Sequence, residues 1–191
     1  LSILTKGTLL RRDLPLLAEA AEQVPVSLGV SLAILDEDLQ QLMEPGTPTP
    51  RARLDLISAI RAAGLECHVM VAPVLPWLTD SREHLDSLLS AVAAAGATSA
   101  STIPAHLRPG VREWYLQWLA EHRPELVPRY RRLYGRGSYV PADYRSWLRG
   151  RVRPLLRAHG LDGPARLRRI GPGADRPGGV DQPEPAQAAL F

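Results

Sequence analysis

The sequence predicts an α/β fold of parallel βα units followed by a helical C-terminal part. Three observations carry that prediction. Four short apolar runs, at 1–5, 26–32, 65–72 and 98–103, are rich in β-branched residues. The stretches between them have helical period and are long enough for parallel crossovers. Beyond Pro104 the strand signal stops and only helical patterns follow.

The first connection, "RRDLPLLAEAAEQ", predicts a helix with Asp13 as N-cap and Pro15 in its first turn. The second holds a short "DEDLQQLM" helix, the break "EPGTPTP", and a longer helix "RARLDLISAIRAAG" closed by Gly64. The third, "DSREHLDSLLSAVAAAG", offers Asp80 or Ser81 as cap and Gly96 as stop. The strand runs read as apolar on both faces, as expected for strands covered on two sides. An open doubly wound sheet and part of a βα barrel both fit, and periodicity does not separate them.

In the C-terminal part, Val111, Trp114, Tyr115, Trp118 and Leu119 recur at helical spacing and predict one apolar face. "ELVPRYRRLYG" and "PADYRSWLRGRVRPLLRAHG" predict two further helices, each ended by glycine. From Gly160 onward the chain is rich in glycine and proline with few large apolar residues, so a disordered tail over 160–191 is expected. The expected organisation is 1–105 for the βα part, 106–159 for the helical extension and 160–191 for the tail.

The 191 residues are 45% hydrophobic and 23% charged, the composition of a soluble globular protein. No apolar run approaches the roughly 20 residues of a spanning helix, so no membrane partner is expected. A single cysteine, Cys67, excludes a disulfide framework, and a cytoplasmic location is the expectation. Cys67 reads as a small buried hydrophobe in a strand, and adjacent His68 points to the opposite face, so the two make a poor metal pair. His68, His84, His106, His122 and His159 are scattered and suggest neither a triad nor a metal site. The chain begins with Leu1, not Met, inside a strand-like run, and residues missing upstream are expected.

Charge is distributed unevenly. Residues 1–128 carry 10 basic against 15 acidic side chains, and 129–169 carry 12 against 2. The basic segment begins with Arg129, ends with Arg169 and interleaves Tyr130, Tyr134, Tyr139, Tyr144 and Trp147. That pattern suits phosphates and stacked bases. The blander alternative, which charge runs more often are, is a solvated basic helix or a surface facing the acidic half.

In parallel βα folds ligands bind at the C-terminal ends of strands. Lys6, the only lysine among 23 basic residues, stands there and can hold a carboxylate or phosphate, or can be a solvated surface residue. Ser27 and Ser31 share a strand face and offer hydroxyls to a polar ligand, or simply relieve packing. Glu44 and Arg51 flank the proline-rich break and could pair or contact a ligand. Ala72 and Pro73, running on to Pro76, and Thr102 to Pro104 complete the strand tips.

"ILTKGTLLRRDLPLLAEAA", "VPVSLGVSLAILDEDLQQLMEPGTPTPRARLDLISAIRAAGLECHVMVAPVLPWLTD" and "AAAGATSAS" together resemble the second half of the barrel in radical S-adenosylmethionine (SAM) enzymes, in particular the spore photoproduct lyase-like branch. "LRPGVREWYLQWLAEHRPELVPRYRRLYG" is similar to that branch's C-terminal extension. The resemblance implies a partial (β/α)6 barrel of about strands three to six. It also implies S-adenosylmethionine and a [4Fe–4S] cluster as cofactors, an electron donor, and a 5′-deoxyadenosyl radical that abstracts hydrogen from an unknown substrate, with DNA a candidate.

By the same resemblance Lys6 stands near the methionyl carboxylate, Ser31 and Ser27 near the ribose or sulfonium, Arg51 near a carboxylate, and Ala72 and Pro73 beside the adenine or substrate. The family's CxxxCxxC cluster motif and the Gly-Gly-Glu-like residues of its second strand are absent. The cluster ligands are therefore expected upstream of this chain, and the chain alone is expected to be inactive. Two alternatives remain: a non-catalytic nucleic-acid- or protein-binding module on a degenerate barrel, and an aldolase-type barrel with Lys6 as a Schiff-base lysine.

Overall fold

The computed structural model describes residues 1–163. Four strands form one parallel sheet: β1 (Ser2–Thr5), β2 (Ser27–Ser31), β3 (Cys67–Val74) and β4 (Ser99–Pro104), paired in sequential order. Seven α-helices accompany them: α1 (Leu14–Ala21), α2 (Glu37–Met43), α3 (Pro50–Ala62), α4 (Arg82–Ala94), α5 (Val111–His122), α6 (Val127–Tyr134) and α7 (Ala142–Ala158). Sequential order settles what periodicity left open. Right-handed crossovers that always step in one direction put the crossover helices α1, α3 and α4 on the same face, which makes a segment of barrel and not a doubly wound sheet.

The side chains agree with this one-sided arrangement. Leu28, Val30, Cys67, Val69, Val71 and Ala100 meet Leu14 and Leu17 of α1, Leu56, Ile57 and Ile60 of α3, Leu85, Leu88 and Leu89 of α4, and Leu148, Val152 and Leu155 of α7. The opposite face carries small and polar residues. Register pairs Gly29 with His68, Ser31 with Met70, His68 with Ser99 and Met70 with Ser101. The expectation of strands apolar on both faces is thus corrected: the alternation is clean, and glycine, serine and histidine fill the face that a barrel turns inward.

Capping follows side-chain chemistry. Asp36, Thr49 and Ser81 each accept a hydrogen bond from the backbone N–H three residues on, opening α2, α3 and α4. Asp13 does not cap α1, because a 3-10 turn over Thr8–Asp13 already has the chain in helical geometry there. Gly96 ends the α4 connection at φ 92°, a backbone state favouring glycine, with Arg61 Cγ only 3.1 Å from where a Cβ would stand.

The C-terminal helices pack in two places. Those of the extension, α5 and α6, lie on the loops beyond the strands: Tyr115, Trp118, Leu119, Tyr130 and Tyr134 meet Ala33 and Ile34 after β2, Leu75 after β3, and Ala105 and Leu107 after β4. Helix α7 returns to the outer face of the sheet. The predicted α5 face is corrected in part, since Val111 and Trp114 are exposed while Tyr115, Trp118 and Leu119 are buried. Packing also continues past Gly160: Leu161 is in the core, and its carbonyl accepts the Ala100 N–H at 3.0 Å. The remainder of the expected tail lies outside the described residues.

Candidate functional site

The C-terminal ends of the strands gather most of the sequence-predicted residues. Lys6 follows β1 directly, and the pairing of Thr5 with Val30 puts it level with Ser31 at the tip of β2. Its ammonium donates to Glu44 Oε1 at 2.8 Å, and Arg53 Nη2 donates to Glu44 Oε2 at 2.6 Å. Arg53 is the pivot. It is only 1% exposed, and it also donates to the Ser31 carbonyl at 3.1 Å, the Pro48 carbonyl at 2.9 Å and Thr47 Oγ1 at 2.7 Å. One guanidinium therefore ties the tip of β2 to the "EPGTP" loop and, through Glu44, to Lys6.

Burial by itself would raise the Glu44 carboxyl, but the hydrogen bonds and charges of Lys6 and Arg53 outweigh it and hold Glu44 below its usual range. Two cations around one carboxylate leave a net positive charge at the strand tips. Ser31, nearly buried, sends its hydroxyl toward the Ala72 carbonyl at a long 3.4 Å. Ala72 and Pro73 occupy an irregularity between the Val71–Thr102 and Val74–Pro104 pairs, where β3 shifts register against β4.

Two predicted residues stand elsewhere. Ser27 opens β2, so it lies one strand length, about 13 Å, from Ser31. Arg51 points outward, 79% exposed, and pairs with Asp55 at 3.2 Å. Glu44 thus pairs with Lys6 and Arg53, and not with Arg51, the partner its flanking position suggested. Lys6, part-buried and bonded to a carboxylate, has the geometry of an ion pair and not of the desolvated amine a Schiff base requires.

Sequence reasoning missed two further features, one on the inner face near the start of β3 and β4 and one in the loop beyond the tip of β3. On the inner face His68 joins two serines, Ser99 Oγ at Nδ1 and Ser101 Oγ at Nε2, both at 2.8 Å. Burial keeps this imidazole below its ordinary pKa and therefore neutral, able to donate at one nitrogen and accept at the other.

The second is the β3–α4 loop. Leu75 N–H donates to Thr79 Oγ1 at 2.8 Å, Trp77 N–H to Asp80 Oδ1 at 2.9 Å, and the Tyr130 hydroxyl to the Pro76 carbonyl at 2.8 Å. Tyr144 donates to Asp80 Oδ2 at 2.8 Å. Of the basic segment's tyrosines, Tyr130 and Tyr134 are buried, with Tyr134 donating to the Ala105 carbonyl at 2.7 Å, while Tyr139 is exposed.

A [4Fe–4S] cluster does not fit the donors present. Cys67 is fully buried on the helix-covered face, with its thiol pushed up to about 12 by desolvation, and no group of three potential metal ligands occurs among the described residues. The strand-tip cations and the Ser31 hydroxyl do fit the carboxylate and polar groups of S-adenosylmethionine in donor chemistry.

Comparison with known proteins agrees with the fold and the resemblance. The Radical SAM superfamily model matches residues 1–89. An uncharacterized protein of Mycobacterium tuberculosis is 64% identical over 166 residues, covering 87% of this chain and 49% of the relative. An uncharacterized protein of Acidianus two-tailed virus is 36% identical over 97 residues, covering 49% of this chain and 32% of the relative.

Among solved structures, a spore photoproduct lyase variant with bound AdoMet and dinucleoside spore photoproduct superposes with a TM-score of 0.62 at 18% identity, covering 86% of this chain and 48% of that one. Spore photoproduct lyase complexed with the dinucleoside photoproduct gives 0.60 at 16% identity, with the same coverage. The chain spans about half the length of the curated relatives it matches. The resemblance to radical S-adenosylmethionine enzymes is therefore borne out over residues 1–89, and the likeness to spore photoproduct lyase is one of fold: the chain folds like part of that barrel. No helix among the described residues is long and apolar enough to cross a membrane.

Proposed function

We propose that this chain supplies the second half of the barrel of a radical S-adenosylmethionine enzyme, with its strand tips holding the amino-acid end of that cofactor. The observation that carries this reading is the net positive Lys6–Glu44–Arg53 cluster beside Ser31, at the ligand-binding end of a sheet matched by the superfamily model. A [4Fe–4S] cluster, for which the described residues offer no ligands, would with S-adenosylmethionine supply radical hydrogen abstraction, and the residues here would serve the S-adenosylmethionine end.

The chain's own residues bind and orient. Lys6 receives a carboxylate while Glu44, anchored on Arg53, holds the ammonium at the mouth. Ser31 offers a hydroxyl to the sulfonium or ribose side, and the β3 tip at Ala72 and Pro73 borders the adenine or the substrate. Ser27 and Arg51, by their placement, take no direct part.

A nucleic-acid substrate fits the excess of arginine in 129–169, and two solved relatives of this fold hold a dinucleoside photoproduct. Cofactor affinity tests the central claim. In the full-length protein, Lys6→Ala should weaken S-adenosylmethionine binding about tenfold by calorimetry, the loss of roughly one charge-assisted contact. Unchanged affinity would return Lys6 to a structural ion pair.

A further inference from the structure

Trp77 is a large aromatic residue whose backbone is in an unfavourable state. Its φ is 61°, in the left-handed region that disfavours a bulky non-glycine residue. Burial of the indole does not explain this, because the side chain is 41% exposed. The groups that fix the loop are themselves buried: Thr79 is 1% exposed, Asp80 6% and Tyr130 0%. A rigid loop at the ligand-binding end of the sheet thus holds an indole out toward solvent.

A second indole is displayed from the same anchor. Asp80 accepts from Trp77 N–H and the Tyr144 hydroxyl, and its carbonyl accepts from Arg151 Nη1 at 3.4 Å. Trp147, one helical turn beyond Tyr144, packs its ring 5.3 Å from that tyrosine and remains 43% exposed. Each indole is accompanied by a guanidinium, Arg129 at 6.0 Å from the Trp77 ring and Arg151 at 4.4 Å from the Trp147 ring. An apolar partner would require the indoles without the cations, and a bare polyanion the cations without the indoles. A half-exposed indole with a guanidinium over its ring, twice, matches an unpaired base and its phosphate.

We propose that Trp77–Arg129 and Trp147–Arg151 form a two-step stacking platform for an unpaired stretch of polynucleotide, keyed to Asp80. The platform deepens the nucleic-acid reading above and rests on it for substrate class, but it requires neither S-adenosylmethionine nor a cluster.

The test is fluorescence anisotropy of the full-length protein with a short fluorescein-labelled oligothymidylate, at low and moderate salt. Trp77→Ala and Trp147→Ala should each weaken binding about tenfold or more, Trp→Phe at either site should largely restore it, and Arg151→Ala should reduce the salt slope by about one. Binding by the Trp→Ala variants equal to wild type overturns the platform, as does equal binding of an abasic oligonucleotide, which would leave charge alone. Circular dichroism melts exclude a folding defect in the variants compared. Failure of the cofactor reading is separately visible, as lost response to Lys6→Ala in calorimetry with oligonucleotide affinity intact.

Discussion

The β2–α3 and β3–α4 connections leave the same end of the same sheet and are held by opposite means. The first is fastened by charge: a buried arginine, a carboxylate and a lysine. The second is fastened mostly by neutral hydroxyls, with tyrosines and a threonine bonded to backbone and to Asp80. A charged fastening can exchange one anion for another, so it suits a place where a ligand carboxylate arrives. The second, whose one carboxylate is already taken up by Trp77 N–H and the Tyr144 hydroxyl, suits a loop that must keep one shape, which is what an indole held at positive φ demands.

That contrast is open to attack from the stability side. Arg53→Met should be the most damaging change, about 3–5 kcal/mol by urea denaturation, because it strands the part-buried Glu44 carboxylate and the Ser31 carbonyl. Tyr130→Phe removes one hydroxyl that links Tyr115 to the Pro76 carbonyl and should cost about 1–3 kcal/mol. A larger loss for Tyr130→Phe than for Arg53→Met would invert the comparison.

Acid provides the gentlest probe. Glu44 titrates lower in the folded chain than its reference of 4.5, so its contribution is complete above that value and is lost as pH falls through the folded pKa. His68 is also depressed, so its contribution is complete above 6.5 and begins to fade below it. Burial pushes the Tyr130 and Tyr144 hydroxyls upward, and they stay protonated and neutral throughout this range. Hydrogen exchange should therefore show the β2–α3 loop loosening below about pH 4.5 while the Leu75 N–H, held by the Thr79 hydroxyl in the β3–α4 loop, keeps its protection longer. Simultaneous loosening of both loops would count against separate fastenings.

Much of the fold was legible because crossover length and helical period are local properties. Barrel against doubly wound sheet was not, since the same strands serve both and only their spatial order differs. Lys6, Ser31 and Ala72 stand at or near strand ends as expected, because strand tips can be read from the sequence. Arg53 was missed although its period was visible: it lies on the face of α3 that carries Leu56, Ile57 and Ile60, while Arg51 lies off it. Charge argued for the outside, and a carboxylate from another element overruled that. The His68–Ser99–Ser101 link depends on strand register, and the left-handed Trp77 on contacts from helices far along the chain, so neither left a local signal.

The two margins of the sheet are unequal. At β4 the Leu161 carbonyl takes up the Ala100 N–H, closing part of that side with the chain's own backbone. At β1 the row of peptide groups on the far side has no neighbouring strand among the described residues. Among the described residues the β1 margin is thus the more open of the two. Produced in isolation the sheet would present that margin as a template for stray strands, so its solubility should improve once a complementary segment occupies the position beside β1.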